Sequence, residues 1–200
     1  VEQEGPIRES QELFMLSSRK LKASMKANYH IYETQDCSGD YCGKIRNTTS
    51  KRFVTYDGGS KQDGAAGGDK AVRKEIGASF FEAEDNLNMV HLLSWKPGHA
   101  GEPGGAGLHA LWDGGRKSDV LHMCNKKPVW NEQVGMWSLA FEGEGRVVLA
   151  SAKNFVLHDP DDDTVYMQFG KQDANSFTLD FRYPITPFVA FAHAMSFFEL

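Results

Sequence analysis

Along most of the chain, apolar and polar residues alternate in short runs rich in aromatic and β-branched side chains. A period of two belongs to half-buried strands rather than helices. The pattern predicts strands at Leu13–Leu16, Asn28–Glu33, Tyr41–Arg46, Arg52–Tyr56, Ile76–Glu82, Asn88–Leu93, Asp119–Cys124, Met136–Phe141, Lys153–Leu157, Thr164–Phe169 and Ser176–Phe181. Asp57-Gly58, Asn86 and Asp159–Asp163 supply turn chemistry between them. Gly58–Gly68 and Gly98–Gly115 hold too much glycine to pack. They read as surface insertions near 58–69 and 98–115 in a single domain over 13–200, preceded by a polar extension over 1–12.

The pattern changes at the end of the chain. Thr186 is placed to cap a helix whose first position is Pro187, where proline forfeits no hydrogen bond. From Pro187 to Phe198 the residues are apolar almost all the way round, so no face of this helix suits water. At about 1.5 Å per residue it reaches roughly 18 Å, too short for a bilayer core of about 30 Å. Protein must surround it. Many strands closing around one central helix satisfies both demands, because closure removes the sheet edges and the helix fills the interior. Ala190, Ala192 and Ala194 would let neighbouring side chains come close.

Composition adds limits. With 40% hydrophobic and 24% charged residues in 200, the chain fits a globular domain with one sizeable core. No apolar run approaches the roughly 18 residues of a membrane span, and Val1–Ser10 is not a basic segment leading into an apolar signal core. The sequence starts at Val1 without methionine, so a longer parent chain is expected. Cys37, Cys42 and Cys124 are odd in number and lack paired zinc spacing, which points to a reducing, intracellular compartment without a disulfide scaffold or structural zinc. The net charge of −5 disfavours a general polyanion binder. Yet residues 13–56 hold eight basic side chains against three acidic ones, a local balance of +5 that could collect an anion on one face.

Catalytic motifs are absent: there is no GxSxG, no GxxxxGK[ST], no HExxH and no GxGxxG between strand and helix. His193, within the apolar helix, reads as a hydrogen-bonded core residue. More informative is Tyr41-Cys42-Gly43-Lys44-Ile45-Arg46. In a strand, Tyr41 and Ile45 would face inward while Lys44 and Arg46 project outward together. In the strand before it, Tyr29 and Ile31 suit the interior and leave Asn28 outside. A hairpin across Thr34–Asp40 would bring Asn28 beside Lys44 and Arg46, making an anion cradle of a planar fork, a point charge and an amide. The alternative is three solvated polar residues on an outer strand face.

Several blocks resemble the C-terminal domain of tubby and tubby-like proteins. They are Lys126-Lys127-Pro128-Val129-Trp130-Asn131-Glu132, Gly145-Arg146-Val147, Ala150-Ser151-Ala152-Lys153-Asn154-Phe155, Tyr166-Met167-Gln168-Phe169-Gly170-Lys171, Phe177-Thr178-Leu179-Asp180 and Tyr183-Pro184. Asn28-Tyr29, Tyr41–Arg46, Phe53–Asp57 and Val72–Glu75 extend the likeness over Phe14–Phe198. The resemblance implies a mainly β fold, a closed antiparallel barrel of about twelve strands around a buried hydrophobic C-terminal helix. It implies binding of phosphatidylinositol 4,5-bisphosphate without enzymatic activity, cofactor or metal. The headgroup ligands fall on Asn28, Lys44, Arg46 and, by the resemblance alone, Arg73. It further implies a membrane-tethered adaptor, a monomer at the inner face of the plasma or ciliary membrane, with protein partners engaged through an N-terminal region and a role in delivering membrane proteins to cilia. Three departures stand out: Glu142–Gly145 is about two residues longer than the family pattern, Ala83–Lys117 matches poorly, and the chain ends at Glu199-Leu200 where the family continues.

The competing class is a nucleic-acid-binding transcription regulator, nuclear in location and using the same basic patch. That function calls for a broad basic surface, and this chain is net acidic with one compact basic region. A phosphoinositide-directed enzyme would need a nucleophile near Lys44 and Arg46, for which only Cys42 offers itself. The run Asp159, Asp161, Asp162, Asp163 lacks the glycine and terminal glutamate of an EF-hand loop and reads as a turn. Thermal melts with and without millimolar calcium should therefore coincide. A calcium-dependent rise in Tm that disappears in Asp161→Asn/Asp163→Asn would refute the turn assignment.

Overall fold

The computed structural model describes residues 13–22, 26–49, 51–60, 72–84, 87–102 and 105–199. The polar extension 1–12, most of the first glycine-rich stretch and the turn residue Asn86 lie outside them. Ten strands form one antiparallel sheet in the order β1(Ser17–Lys20), β2(Asn28–Tyr32), β3(Gly43–Thr49), β4(Arg52–Asp57), β5(Glu75–Glu84), β6(Leu87–Trp95), β7(Val120–Asn125), β10(Phe155–His158), β11(Val165–Lys171) and β12(Phe177–Phe181). The path is a meander with one excursion between β7 and β10. There β8(Val129–Asn131) and β9(Met136–Ser138) pair only with each other, and Trp130 meets Trp137 edge-on. Among the described residues no ladder joins β1 to β12.

The sheet packs around α2(Pro187–Phe197), which begins where Thr186 accepts a hydrogen bond from the Val189 amide at 3.2 Å. Val189, Ala190, Ala192, Ala194 and Phe197 share a core with Ile31, Ile45, Phe53, Phe81, Leu92, Met123, Phe155, Leu157, Met167 and Phe169. Both halves of the sheet therefore supply inner-face side chains to one helix. Two glycines set the approach: a Cβ on Gly43 would collide with the Phe188 ring and the Tyr56 carbonyl, and one on Gly77 would press on Val189 at 3.3 Å. His193 is buried with its Nδ1 2.7 Å from the Ser79 hydroxyl, and burial pushes its pKa down to about 3. It is a neutral, hydrogen-bonded core histidine. Beyond the helix, Glu199 pairs with Lys20 at 2.7 Å and accepts from the Tyr29 hydroxyl, tying the chain's end to β1 and β2.

Several expectations change. Leu13–Leu16 forms no strand, and the first one begins at Ser17. The expected strand Met136–Phe141 shortens to Met136–Ser138. The second glycine-rich stretch does pack: α1(Leu108–Asp113) buries Leu108 and Leu111 with Ala78, Phe80, Leu93 and Val120 on the sheet's outer face. Its start is held by Glu75, whose Oε1 accepts from the Leu108 amide at 2.6 Å. Gly101 and Gly107 permit this, since a Cβ on either would strike Glu75 at about 2.5 Å. The longer Glu142–Gly145 segment is a turn with Gly143 and Gly145 at φ +85° and +67°. After it Arg146 forms an ion pair with Asp180, which also accepts from Gln168 Nε2 at 2.8 Å. The acidic turn is occupied by its own contacts: Asp163 pairs with Lys126 and His158, and Asp159 and Asp162 accept backbone amides.

Because Ala190 has no exposed surface, Ala190→Asp would place a charge in the core with no partner, at a cost of several kcal/mol against a typical domain stability of about 5–15. The variant should be insoluble or melt at least about 10 °C lower. Phe191 is only half-buried, so Phe191→Ser should stay folded. An Ala190→Asp melting curve matching wild type would refute the helix placement.

Candidate functional site

The inward set in β2–β4 fixes the outward one. With Tyr29, Ile31, Ile45 and Phe53 in the core, alternation turns Asn28, His30, Lys44, Arg46, Val54 and Tyr56 to the outer face. Register then decides the neighbours. Asn28 lies opposite Arg46 and His30 opposite Lys44 across β2–β3, while Lys44 lies opposite Tyr56 across β3–β4. The hairpin across Thr34–Asp40 thus forms as expected and brings Asn28 to the two cations. Arg46 is exposed, whereas Lys44 is only 8% exposed. Part of the Lys44 burial therefore counts toward stability, which an open outer face would not have suggested.

Arg73 comes from the segment leading into β5. Its amide donates to the Ser60 carbonyl at 2.9 Å, beside a bridge between Ser60 and Val72. Asp57 fixes the neighbouring backbone, its Oδ1 accepting from the Gly59 amide at 3.1 Å and the Lys74 amide at 2.9 Å. The Arg73 guanidinium then lies over the Tyr56 ring, 4.7 Å from its centroid. Through Tyr56, the structure carries Arg73 to the patch that holds Lys44 and Arg46. All four sequence-predicted residues share one outer face.

The patch is electrostatically distinctive. Burial lowers the His30 pKa and Lys44 lowers it further; burial and Glu75 raise that of Tyr56, while Arg73 and Arg46 oppose the rise. Asn28 Oδ1 is buried and finds no hydrogen-bond partner among the described residues. An orphaned buried acceptor costs about 1–3 kcal/mol, which a ligand donor could recover. Chemically, the face offers a fork, a point charge, a stacked guanidinium and an amide, a set suited to phosphate oxygens and hydroxyls.

Sequence reasoning missed His30 and Tyr56, though the register that pairs them with Lys44 follows from the alternation already used. It also misplaced Tyr41. A bend at Cys42 precedes β3, so Tyr41 stacks on His30 with ring centroids 4.1 Å apart, not in the interior. Cys42 instead packs against the core, and its Sγ lies 3.3 Å from the Ile31 carbonyl. Burial and Glu33 push its thiol pKa up, the reverse of what a cation-activated nucleophile needs. Among the described residues no group of three potential ligands converges on a metal position, and none of their helices is long and apolar enough to cross a membrane.

The model of the Tub family matches residues 2–200. Tubby-related protein 1 of Mus musculus is 33% identical over 210 residues, covering 94% of this chain and 38% of that protein. Protein king tubby 2 of Culex quinquefasciatus is 35% identical and that of Aedes aegypti 36% identical, each over 208 residues and 94% of this chain. The chain spans less than half the length of these curated relatives. A family match over residues 2–200, with identity above 30% over 94% of the chain, establishes that the chain belongs to the Tub family.

Proposed function

We propose that the sheet closes as a barrel around α2 and that this barrel binds phosphoinositides, with phosphatidylinositol 4,5-bisphosphate as ligand. Asn28, Lys44, Arg46 and Arg73 are its headgroup contacts. The observation that carries the reading is the β2–β3–β4 register, which puts Asn28 opposite Arg46 and sets Lys44 beside Tyr56, on which Arg73 stacks. Arg46 grips a phosphate with two parallel donors, Lys44 supplies a point charge, and Arg73 closes the far side. Asn28 turns its unmatched oxygen to an inositol hydroxyl. The domain acts by binding rather than catalysis, as a peripheral adaptor on the inner membrane leaflet. By its likeness to tubby proteins, its wider role is trafficking of membrane proteins, including delivery to cilia.

Each basic residue near an anionic membrane contributes about 1 kcal/mol through general attraction, and a fitted charge-assisted contact contributes more. Lys44→Met keeps the apolar stem that the burial of Lys44 calls for, so Lys44→Met/Arg46→Ala should melt close to wild type. Its affinity for vesicles containing phosphatidylinositol 4,5-bisphosphate should fall by about 100-fold or more, beyond the roughly 30-fold that two generic charges represent. Arg116 and Arg182 are exposed and off these strands. Arg116→Ala/Arg182→Ala removes the same charge and should bind within about threefold of wild type, taking ~0.6 kcal/mol as negligible. Equal losses in the two double variants would leave only diffuse attraction. Tight binding of a DNA duplex with a steep salt dependence, and none of vesicles, would favour the transcriptional reading.

A further inference from the structure

The outer face carries a group that the four-residue site leaves unused. His30 stands between Asn28 and Tyr32 on β2, directly opposite Lys44 on β3 and opposite Arg19 on β1. Its ring stacks on Tyr41 at 4.1 Å and lies 6.4 Å from the Tyr32 ring. Among the described residues neither ring nitrogen has a hydrogen-bond partner. Resting on the phosphoinositide reading, we propose that His30 is a fifth, titratable contact for the headgroup phosphates, and that binding takes up a proton at this imidazole.

The charges around the ring decide the direction. Arg19 faces it from β1 and Lys44 from β3, with Arg46 one alternate position further along β3. Arg19 is turned toward the chain beyond β2, its Nη2 donating to the Asp36 carbonyl at 2.8 Å. Tyr32 and Tyr41 flank the ring. Glu33 follows β2 and is exposed, and Asp36 lies beyond it in the turn. Burial, and after it the Lys44 charge, depress the pKa of the free imidazole, and Lys44 is the one charged neighbour that contributes to the shift. A phosphate brought to Lys44 reverses that field. Negative charge beside the ring favours the imidazolium, which can then donate to a phosphate oxygen.

The sign follows from linkage. The free-state pKa is depressed below 6.5 and the bound-state pKa lies higher. Above both values His30 is neutral in either state and contributes nothing to affinity. As pH falls through the bound value, protonation strengthens the complex, by up to tenfold for each unit separating the two pKa values. The lipid phosphates gain protons over the same range and weaken a fixed-charge site. Wild type and a histidine-free variant should therefore diverge as pH falls.

Binding to vesicles containing phosphatidylinositol 4,5-bisphosphate, and to soluble inositol 1,4,5-trisphosphate, would be measured from pH 7.5 to 5.5 for wild type, His30→Gln and His30→Phe. The phenylalanine variant retains the stack on Tyr41 and guards against loss of fold. The ratio of wild-type to variant affinity should be near one at pH 7.5 and rise several-fold by pH 5.5, with both probes and both variants. Calorimetry with the trisphosphate at pH 6, in two buffers of different ionisation enthalpy, should show more proton uptake by wild type than by either variant. A ratio independent of pH, or equal proton uptake, overturns the role of His30 while leaving the four-residue site standing. A pH effect seen with vesicles only would place it at the membrane surface and also overturn the proposal. Binding of neither probe by wild type at any pH would remove the phosphoinositide reading, and this inference with it.

Discussion

An eleven-residue helix with no polar face has to be covered, and most of the architecture follows from covering it. Glycines in the wall let helix side chains come close to the strand backbone, Phe188 at Gly43 and Val189 at Gly77. The aromatic residues Phe81, Phe155 and Phe197 fill what remains, with Phe155 edge-on to both His193 and Phe197. Of the two polar side chains on the helix's buried side, His193 is matched by Ser79 across from it and Ser196 donates to the His193 carbonyl. An inner face so constrained leaves each strand no choice of register, since a slip of one residue would exchange core for solvent.

That constraint reaches the candidate site. β2 and β3 are locked inwardly by Tyr29, Ile31 and Ile45, so the outward positions are equally fixed although few of them pack tightly. The patch gains its order from the core beneath it. Arg73 needs a separate device because it lies off these strands, and Asp57 supplies one by fastening both flanks of the Ser60–Val72 bridge. On another part of the outer face, α1 covers Ala78, Phe80 and Leu93, so the sheet has a second apolar layer that the basic patch does not share.

Much of this was legible because it is periodic. The alternation in Asn28–Tyr32 and Arg52–Asp57, the Thr186–Pro187 start and the apolar helix each carry a physical cause in a few consecutive residues. What failed to show was non-local. The glycines at 101 and 107 looked like slack, but they give room for Glu75 and Trp95 contacts made by residues far away in sequence. A bend at Cys42 reverses the parity of Tyr41, and no period can reveal a bend. The Val129–Asn131 strand pairs only within its own short hairpin and leaves Val129 and Trp130 exposed, so burial gave it no pattern to display. Within the candidate site, Asn28, Lys44 and Arg46 were readable from parity, whereas Arg73 reached the list through family likeness and its stacking on Tyr56 only through the fold.

Lys44 shows how the outer face also contributes to stability. A cation that is only 8% exposed loses solvation unless partners replace it, and its neighbours in register are an imidazole and a phenol rather than carboxylates. A carboxylate directly opposite Lys44 in the sheet would compete with any anionic ligand. The imidazole and the phenol flank the lysine stem in register on either side. Arg73 is likewise oriented by a ring, its guanidinium lying over Tyr56. Ring contacts thus give the cations of this outer face a fixed arrangement, which is the geometric premise on which the proposed phosphate contacts rest.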